Sequence, residues 1–296
     1  MALPESVKDI LAGTCGGITQ VLVGQPFDIV KVRIQTAPRG MYSGILGCVS
    51  DIFQKGGLSA FYRGTELPLI GVGACVSIQF GVVQYVKRIF QDQNRGAFGG
   101  KSQHLSHAQL YLSGAAGGIA NSVLASPIEQ VRIRLQTQQT PIYSGPLNCI
   151  QQISAKGGVS GVFRGLVPTL LREGHGMGIY FLTYDYLVQQ VMKSQHLEHR
   201  SQLSPTVPLL AGASAGVVLW MAVYPIDVVK SYIQTDAINP KERRFRGMMD
   251  VIRFVHKSSG TAGFFRGIIP TLIRAPFANG ATFLAFEMAL HQLSQF

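Results

Sequence analysis

The sequence predicts an all-α membrane protein with six transmembrane helices, arranged as three pseudo-threefold repeats around a central cavity. Three observations favour this fold: a low content of charged residues, six long apolar stretches, and a motif that occurs three times. Of the 296 residues, 47% are hydrophobic and 14% are charged, and the mean hydropathy is +0.23. Because a soluble domain carries about 25% charged residues, this chain has little polar surface for its size.

The six apolar stretches supply the predicted membrane spans. Each is interrupted by Gly, Pro or polar side chains, and none is an unbroken run of about 20 apolar residues. Such stretches are typical of helices that face lipid on one side and protein or water on the other. A soluble all-α protein is the alternative. The stretches cover residues 8–36, 66–90, 108–137, 167–192, 208–235 and 268–293.

A ten-residue motif divides the chain into three copies. It reads PFDIVKVRIQ from Pro26, PIEQVRIRLQ from Pro127 and PIDVVKSYIQ from Pro225, at intervals of about 100 residues. A GxxxG pattern before each proline, a YSG or FRG triplet after each motif, and a later aromatic–Arg–Gly turn keep the same order. The predicted repeats are residues 1–102, 103–202 and 203–296, which together form one structural domain.

Each repeat predicts an apolar helix, a polar loop with a short helix, and a second apolar helix. The proline inside each first helix removes a backbone hydrogen bond and predicts a kink. The acid two residues later and the base five residues later lie on nearly one face of the helix. Around a threefold axis, we expect the acids Asp28, Glu129 and Asp227 to pair with the bases Arg132, Lys230 and Lys31 of neighbouring repeats. The glutamines that end the motifs are expected to brace this ring by hydrogen bonds: Gln35, Gln136 and Gln234.

This ring of ion pairs is interpreted as a gate that closes one side of the cavity. Buried ion pairs add little net stability, because desolvation cancels most of the Coulomb gain. Since stability alone does not account for these pairs, we interpret them as a ring that breaks and re-forms. Three independent ion pairs at helix ends are the alternative, but they do not explain why all three keep one register.

The pattern Px[DE]xx[KR]x[KR]xQ, found three times at this spacing, resembles the signature of the mitochondrial carrier family over essentially the whole chain. The resemblance implies three pairs of tilted helices, both termini toward the intermembrane space, and exchange of small metabolites across the inner membrane by alternating access. It also implies cardiolipin as a structural lipid near the [FYW][RK]G and [YF]xG turns. We expect a monomer without a cofactor.

Two of the departures from the family pattern concern the ion pairs. Tyr232 stands where the third motif should have its second base. The family often carries [FY][DE]xx[RK] on the second helix of each repeat, which forms a second latch on the cytosolic side. Two acids and no base remain in these positions, so we expect this latch to be largely absent. The positions are Phe80-Gly81 with Gln84, Tyr184-Asp185 with Val188, and Phe286-Glu287 with Leu290.

The substrate site is expected where the repeats differ, because a small substrate is itself asymmetric. Seven residues after the glycine of each aromatic–Arg–Gly turn stand Gly71, Arg172 and Arg274, and Glu173 follows Arg172. Charges in the middle of a membrane helix are costly and therefore indicate function. Arginine offers a planar fork for a carboxylate, and a glutamate accepts from an ammonium. The predicted substrate-binding residues are Arg172, Glu173, Arg274, Gln79, Tyr180 and Trp220.

A structural ion pair, Arg172–Glu173 or Glu173–Arg274, is the alternative interpretation of these charges. Adjacent helix residues point about 100° apart, so a direct Arg172–Glu173 contact is not expected. The stretches LREGHGMGIYF and LWMAVYPIDVVKS resemble the amino acid and carnitine branch of the family, which includes ornithine and acylcarnitine carriers. Cys75 occupies the position where ornithine-type carriers place an acid, which argues against a cationic substrate. We expect an amino acid or related zwitterion, with glutamate slightly ahead of carnitine.

Other classes are disfavoured. The net charge of +11 is spread over helix ends and forms no basic helix face with interleaved aromatics, so nucleic acid is not an expected partner. No nucleophile, base or metal constellation predicts an enzyme. The four cysteines form no CxxC pair and are interpreted as small buried residues.

A carrier-fold interaction protein without transport would show decay of the gate or cavity charges, and both sets are present. The N-terminus shows neither a secretory signal nor a transit peptide, and the family resemblance implies the mitochondrial inner membrane, so we expect that location without a cleavable presequence.

Overall fold

The computed structural model describes residues 5–38, 40–97, 105–138, 142–197, 199, 202–204 and 206–294, and its regular structure there is entirely helical. The six long helices have 27 to 32 residues: α1 (Glu5–Thr36), α3 (Glu66–Ala97), α4 (His107–Thr137), α6 (Leu166–Ser194), α7 (Thr206–Thr235) and α9 (Ile268–Ser294). A shorter helix lies between the two long helices of each repeat: α2 (Ile45–Gly56), α5 (Pro146–Val162) and α8 (Met248–Ser259).

Each predicted apolar stretch falls inside one long helix. The shortest of the six has 27 residues and is therefore about 40 Å long, enough to cross a hydrocarbon core of about 30 Å. Each of α1, α4 and α7 continues across its motif proline, and α9 contains a further proline, Pro276. By length and hydropathy, two described segments qualify as candidate spans, Leu58–Arg95 and Thr206–Thr235.

The chain divides into two compact units that do not follow the repeats. The first unit comprises Met1–Ala74, Ala125–Gly165 and Val228–Phe296, and the second comprises Cys75–Leu124 and Leu166–Asp227. The first unit contains all three sequence motifs except the start of the third. The predicted repeat boundaries stay a prediction, because the units cut across them.

Three similar hydrophobic cores hold the first unit together, one for each repeat. In each core the short helix packs against the C-terminal half of the first long helix, as Ile52 of α2 does against Ile29 and Val30 of α1. Burying such a side chain contributes about 1.5–3 kcal/mol. The residue four positions after the loop glycine is fully buried in every core: Cys48, Cys149 and Val251.

The aromatic–Arg–Gly turns end the short connections in a left-handed conformation. Gly64, Gly165 and Gly267 have φ values of 76°, 93° and 85°, a region that side-chain-bearing residues rarely adopt. Arg164 donates to the carbonyl of Ala237 at 2.6 Å. Arg266 donates to that of Ala37 at 2.9 Å. A cation at the carboxyl end of a helix satisfies free carbonyls and the helix dipole, so these arginines fix the chain after α7 and α1.

Close packing through GxxxG occurs in the second unit, between α4 and α6. A Cβ atom on Gly114 would collide with the carbonyl of Met177, and one on Gly118 would collide with that of Glu173. Backbone atoms cannot move aside as a side chain can, so only glycine fits at these two positions. In the first and third repeats, a Cβ on Gly13 or Gly216 would meet no described atom within 4 Å. The pattern therefore predicts the close contact correctly in one repeat only.

Candidate substrate site and gate

Asp28 of α1 is paired with Arg132 of α4. The Arg132 guanidinium donates to Asp28 Oδ2 at 2.7 Å and to Gln25 Oε1 at 2.6 Å. Gln25 is fully buried and donates in turn to the carbonyl of Arg63 at 2.9 Å. Gln25 was not among the predicted site residues. The sequence does carry a signal for it, because the residue before the motif proline differs between repeats: it is polar in the first and aromatic (Tyr224) in the third.

A second gate pair joins the second and third motifs. Lys230 Nζ donates to Glu129 Oε2 at 2.7 Å, and the lysine side chain is buried. The third expected pair, Lys31 with Asp227, would join residues of different units and stays a prediction. Lys31 and Asp227 are both buried.

Arg274 of α9 also lies on Asp28. Its Nε is 3.1 Å from Asp28 Oδ1, while Arg132 holds the other carboxylate oxygen. This Nε is buried but makes no hydrogen bond among the described residues, so the contact is an ion pair of imperfect alignment. About a quarter of the Arg274 side chain is exposed. One carboxylate is therefore shared by two guanidinium groups, one from the gate and one from the predicted substrate site.

Arg172 of α6 contacts two carboxylates. Its Nη2 donates to Glu173 Oε1, and its Nε is 3.8 Å from Asp227 Oδ1. The expectation that neighbouring helix residues would not pair is wrong here. The arginine side chain is long enough to turn back along the helix, and both groups are largely buried. An unpaired buried charge would be far more costly than the bent side chain.

The two predicted substrate arginines share one geometry. Each lies against the acid of the motif that follows it in threefold order, Arg172 with Asp227 and Arg274 with Asp28. The first repeat has Gly71 at this position. A Cβ there would lie 2.6 Å from Ile128 Cδ1, so an arginine would not fit without movement. Glu129 consequently faces a gate lysine but no substrate-site arginine from the first repeat.

The glutamine brace is seen once. Gln35 Oε1 accepts a hydrogen bond from Ser231 Oγ at 2.9 Å. For Gln234 the prediction is wrong, because neither atom of its side-chain amide has a hydrogen-bond partner among the described residues, and the same holds for Gln136 Nε2. The sequence explains the difference. The residues that correspond to Ser231 are Val32 and Ile133, which carry no hydroxyl.

The remaining predicted site residues are half-buried in the second unit. Tyr180 stacks on Tyr184 with ring centroids 6.4 Å apart, and Trp220 meets Tyr224 edge-on at 6.4 Å. The Tyr180 hydroxyl lies 3.3 Å from where a Cβ on Gly212 would be. Gln79 lies on α3. These aromatic side chains present apolar surface with few polar atoms, as expected around a small polar ligand.

The second latch lacks a base at the two positions whose side chains are described. Gln84 is exposed, Val188 is buried, and the buried Asp185 accepts from Gln189 at 2.5 Å. The side chains of Glu287 and Leu290 lie outside the described part. One nearby cation was missed from the sequence: Lys87, one turn after Gln84, lies 4.6 Å from the centroid of the Phe181 ring.

The cysteines form no disulfide, and no cluster of potential metal ligands occurs in the part of the chain that the structure describes. Cys48 and Cys149 are buried as expected, and burial raises the pKa of each thiol to about 11. Cys15 is exposed, so its predicted burial is wrong. It is the eleventh residue of α1.

Comparison with known proteins gives the family. A model described as "Mitochondrial carrier protein" matches residues 4–94, 103–195 and 201–295. The "Glutamate/glycine mitochondrial carrier ymc1" of Schizosaccharomyces pombe is 45% identical over 290 residues, covering 97% of this chain and 94% of the relative. The "Mitochondrial glycine transporter YMC1" of Saccharomyces cerevisiae is 45% identical over 291 residues, covering 97% and 92%.

A human relative is more distant. The "Mitochondrial basic amino acids transporter" of Homo sapiens is 38% identical over 287 residues, covering 95% of this chain and 89% of the relative. All three relatives are named as carriers or transporters, as the sequence predicts. Since the family model matches nearly the whole chain in three consecutive segments, this protein belongs to the mitochondrial carrier family.

Proposed function

We propose that the protein carries an amino acid across the mitochondrial inner membrane by alternating access. The observation that supports this most directly is the set of largely buried charges in the second turns of α6 and α9, where Arg172 pairs with Glu173 and approaches Asp227, and Arg274 lies against Asp28. Relatives named for glutamate, glycine and basic amino acids support the substrate class. Six membrane spans, both termini toward the intermembrane space, a monomer and bound cardiolipin belong to the same proposal.

The contacts of these charges bear on how the substrate binds. In the first unit, Asp28 is one carboxylate between the guanidiniums of Arg132 and Arg274. In the second unit, Arg172 contacts the carboxylates of Glu173 and Asp227. We assign the substrate carboxylate to the fork of Arg274, and Glu173 stays the residue that the sequence predicts for the ammonium.

Glutamate and glycine place different demands on this site. The second carboxylate of glutamate would take Arg172 from Glu173, whereas glycine requires no such exchange. Carnitine, the alternative substrate, would stack its quaternary ammonium on Trp220. Gln79, Tyr180 and Trp220 shape the rest of the site. A charge left unmatched in the closed site costs about 2–5 kcal/mol, enough to discriminate between charge types.

Uptake by purified protein in cardiolipin-containing liposomes tests the proposal. The panel comprises glycine, glutamate, lysine, carnitine and malate. We expect exchange of an amino acid, and we expect Glu173→Gln to reduce transport of amine-bearing substrates far more than that of malate. Good transport of malate that survives Glu173→Gln unchanged would show that the substrate is no zwitterion. Failure to transport any substrate would favour a carrier-fold interaction protein.

A further inference from the structure

Gly24 of α1 lies directly against the guanidinium of Arg274. A Cβ atom on Gly24 would be 2.6 Å from Arg274 Nε and 3.0 Å from Nη2. Both distances are shorter than van der Waals contact. Gly24 is buried and lies one helical turn before Asp28, so the two residues share a face of α1. The guanidinium therefore lies along α1, over the glycine, with its Nε on the Asp28 carboxylate.

The position that corresponds to Gly24 carries a side chain in the other two repeats. The residue two positions before the motif proline is Gly24 in the first repeat, Ala125 in the second and Val223 in the third. Arg172 approaches the acid that follows Val223 in the third motif only to 3.8 Å, whereas Arg274 approaches Asp28 to 3.1 Å. The arginine that lies closer to its acid is therefore Arg274, and the residue at this position in its case is Gly24, which has no side chain.

We propose that Gly24 is a positioning residue that sets where the Arg274 guanidinium lies and therefore which carboxylate it binds. In the empty protein that carboxylate is Asp28. A substrate carboxylate then takes the place of Asp28 on Arg274. This inference rests on the proposed function, because it assumes that Arg274 binds the substrate carboxylate.

The effect of filling this space falls on function rather than on folding. The atoms that a Cβ on Gly24 would meet are the end of a flexible side chain, which moves aside by rotation about its own bonds. Glycine inside a helix is less favourable than alanine. Gly24→Ala therefore leaves the fold intact and displaces the guanidinium. Gly118 is different, because a Cβ there would meet a backbone carbonyl that cannot rotate away. Alanine at Gly118 should therefore lower stability.

The experiment compares Gly24→Ala with Gly13→Ala in the same helix. A Cβ atom on Gly13 would meet no described atom within 4 Å, so this variant controls for the change in helix propensity. For the amino acid that is exchanged best, we expect Gly24→Ala to raise KM about tenfold, the effect of losing one well-placed polar contact. Gly13→Ala should leave KM unchanged. The thermal midpoint of both variants should equal or exceed that of the wild type.

A second arm uses Arg274→Lys alone and together with Gly24→Ala. Lysine has a compact ammonium in place of the fork, so it is not displaced by the added methyl group. The Gly24→Ala change should therefore raise KM much less in the Arg274→Lys background than in the wild type. Additive effects would overturn the proposal, and so would a Gly24→Ala variant that keeps its KM or that loses transport together with thermal stability.

Arg274→Ala separates this inference from the proposed function. If Arg274→Ala transports the amino acid with unchanged KM, the assignment of Arg274 to the substrate carboxylate is wrong and the role of Gly24 falls with it, whereas amino acid transport itself stands. If Arg274→Ala loses transport while Gly24→Ala keeps the wild-type KM, only the role of Gly24 is wrong. Loss in Arg274→Ala with a raised KM in Gly24→Ala supports both.

Discussion

Arg132 of α4 donates a hydrogen bond of 2.7 Å to Asp28 of α1 and so joins the motifs of the second and first repeats. Asp28 holds Arg274 as well, at 3.1 Å, and Gln25 extends the network to the Arg63 turn. The pair between Glu129 and Lys230 has no such arginine from the first repeat, where Gly71 takes its position. The sequence motifs are threefold, but the interactions at their acids are not.

Replacing the two acids by their amides tests this asymmetry. Asp28→Asn removes a carboxylate that two guanidiniums share, whereas Glu129→Gln removes one that accepts a hydrogen bond from Lys230. Removing one partner of a buried pair costs about 3–5 kcal/mol, and we expect the larger loss of exchange rate and thermal stability in Asp28→Asn. Rates in liposomes and thermal midpoints in detergent measure both. Asp250→Asn, at an exposed ion pair with Arg253, is the control. Equal losses in the two gate variants would contradict the prediction.

The sequence predicts the pairs that periodicity determines. The acid and the base lie three residues apart in each motif, so helical geometry identifies partners for Arg132 and Lys230 before any coordinates are known. It does not determine where long side chains turn. Arg172 bends toward its neighbour Glu173, and Arg274 reaches Asp28 because Gly24 leaves room. These contacts depend on rotamers and on side-chain volume from other helices, which periodicity does not contain.

The GxxxG pattern shows the same limit, and it yields a prediction. Gly118→Ala would place a methyl group against the backbone of Glu173, and overpacking of this kind costs about 1–3 kcal/mol. We expect a clearly lower thermal midpoint for Gly118→Ala. Gly216→Ala, where a Cβ meets no described atom within 4 Å, should be neutral or stabilising. Similar midpoints for the two variants would show that α4 and α6 do not rely on this contact.

The buried thiols should resist alkylation. With a pKa of about 11, Cys48 and Cys149 are thiolates in about one molecule in ten thousand at pH 7. The exposed Cys15 should react with N-ethylmaleimide in the folded protein, and the two buried cysteines should react only after unfolding. Mass spectrometry of the labelled peptides at pH 7 and pH 9 measures this. Because the raised pKa exceeds both values, rapid labelling of Cys48 at pH 9 would contradict the prediction.

Asp236 should make stability depend on acid pH. Burial acts to raise its pKa, but the backbone N–H groups of Arg244, Phe245 and Ala237 and the Arg164 guanidinium outweigh burial, so the pKa lies below its ordinary value. A depressed pKa stabilises the folded state above the unfolded value of about 3.9. This stabilisation is lost as the pH falls through the folded value.

Asp236→Asn provides the measurement. In the wild type, Arg164 Nη2 lies 2.7 Å from Asp236 Oδ2. At pH 7 the variant leaves the buried Arg164 without this carboxylate, and we expect the free energy of unfolding to fall by about 3–5 kcal/mol. The difference in thermal midpoint between the wild type and the variant should shrink as the pH falls below about 3.9, where the carboxyl is protonated in the unfolded chain, and should reach its minimum below the lowered pKa of the folded state. A difference that stays constant from pH 7 to pH 3 would show that the charge of Asp236 does not contribute.

The weak second latch should leave the empty protein open on the intermembrane-space side. Gln84 and Val188 supply no cation, so we expect packing to hold that side shut, whereas we expect ion pairs such as Asp28–Arg132 to hold the other. Cys75 is a natural probe at a predicted cavity position, and it is half-buried on α3. In a Cys15→Ser variant, an impermeant thiol reagent should label Cys75 from the intermembrane-space face of oriented vesicles. Faster labelling from the matrix face would reverse the predicted resting state.

Restoring a base at the second latch tests whether ion pairs set the balance between the two states. Gln84→Lys places an ammonium one turn before Lys87 on α3, at the position where the family pattern has its base. A lysine there can pair with an acid of the latch when that side closes, so the variant should slow labelling of Cys75 from the intermembrane-space face. Gln93→Lys adds the same charge to the same helix away from the latch, and it should leave the labelling rate unchanged. Equal rates in the two variants would show that packing alone decides which side of the empty protein is open.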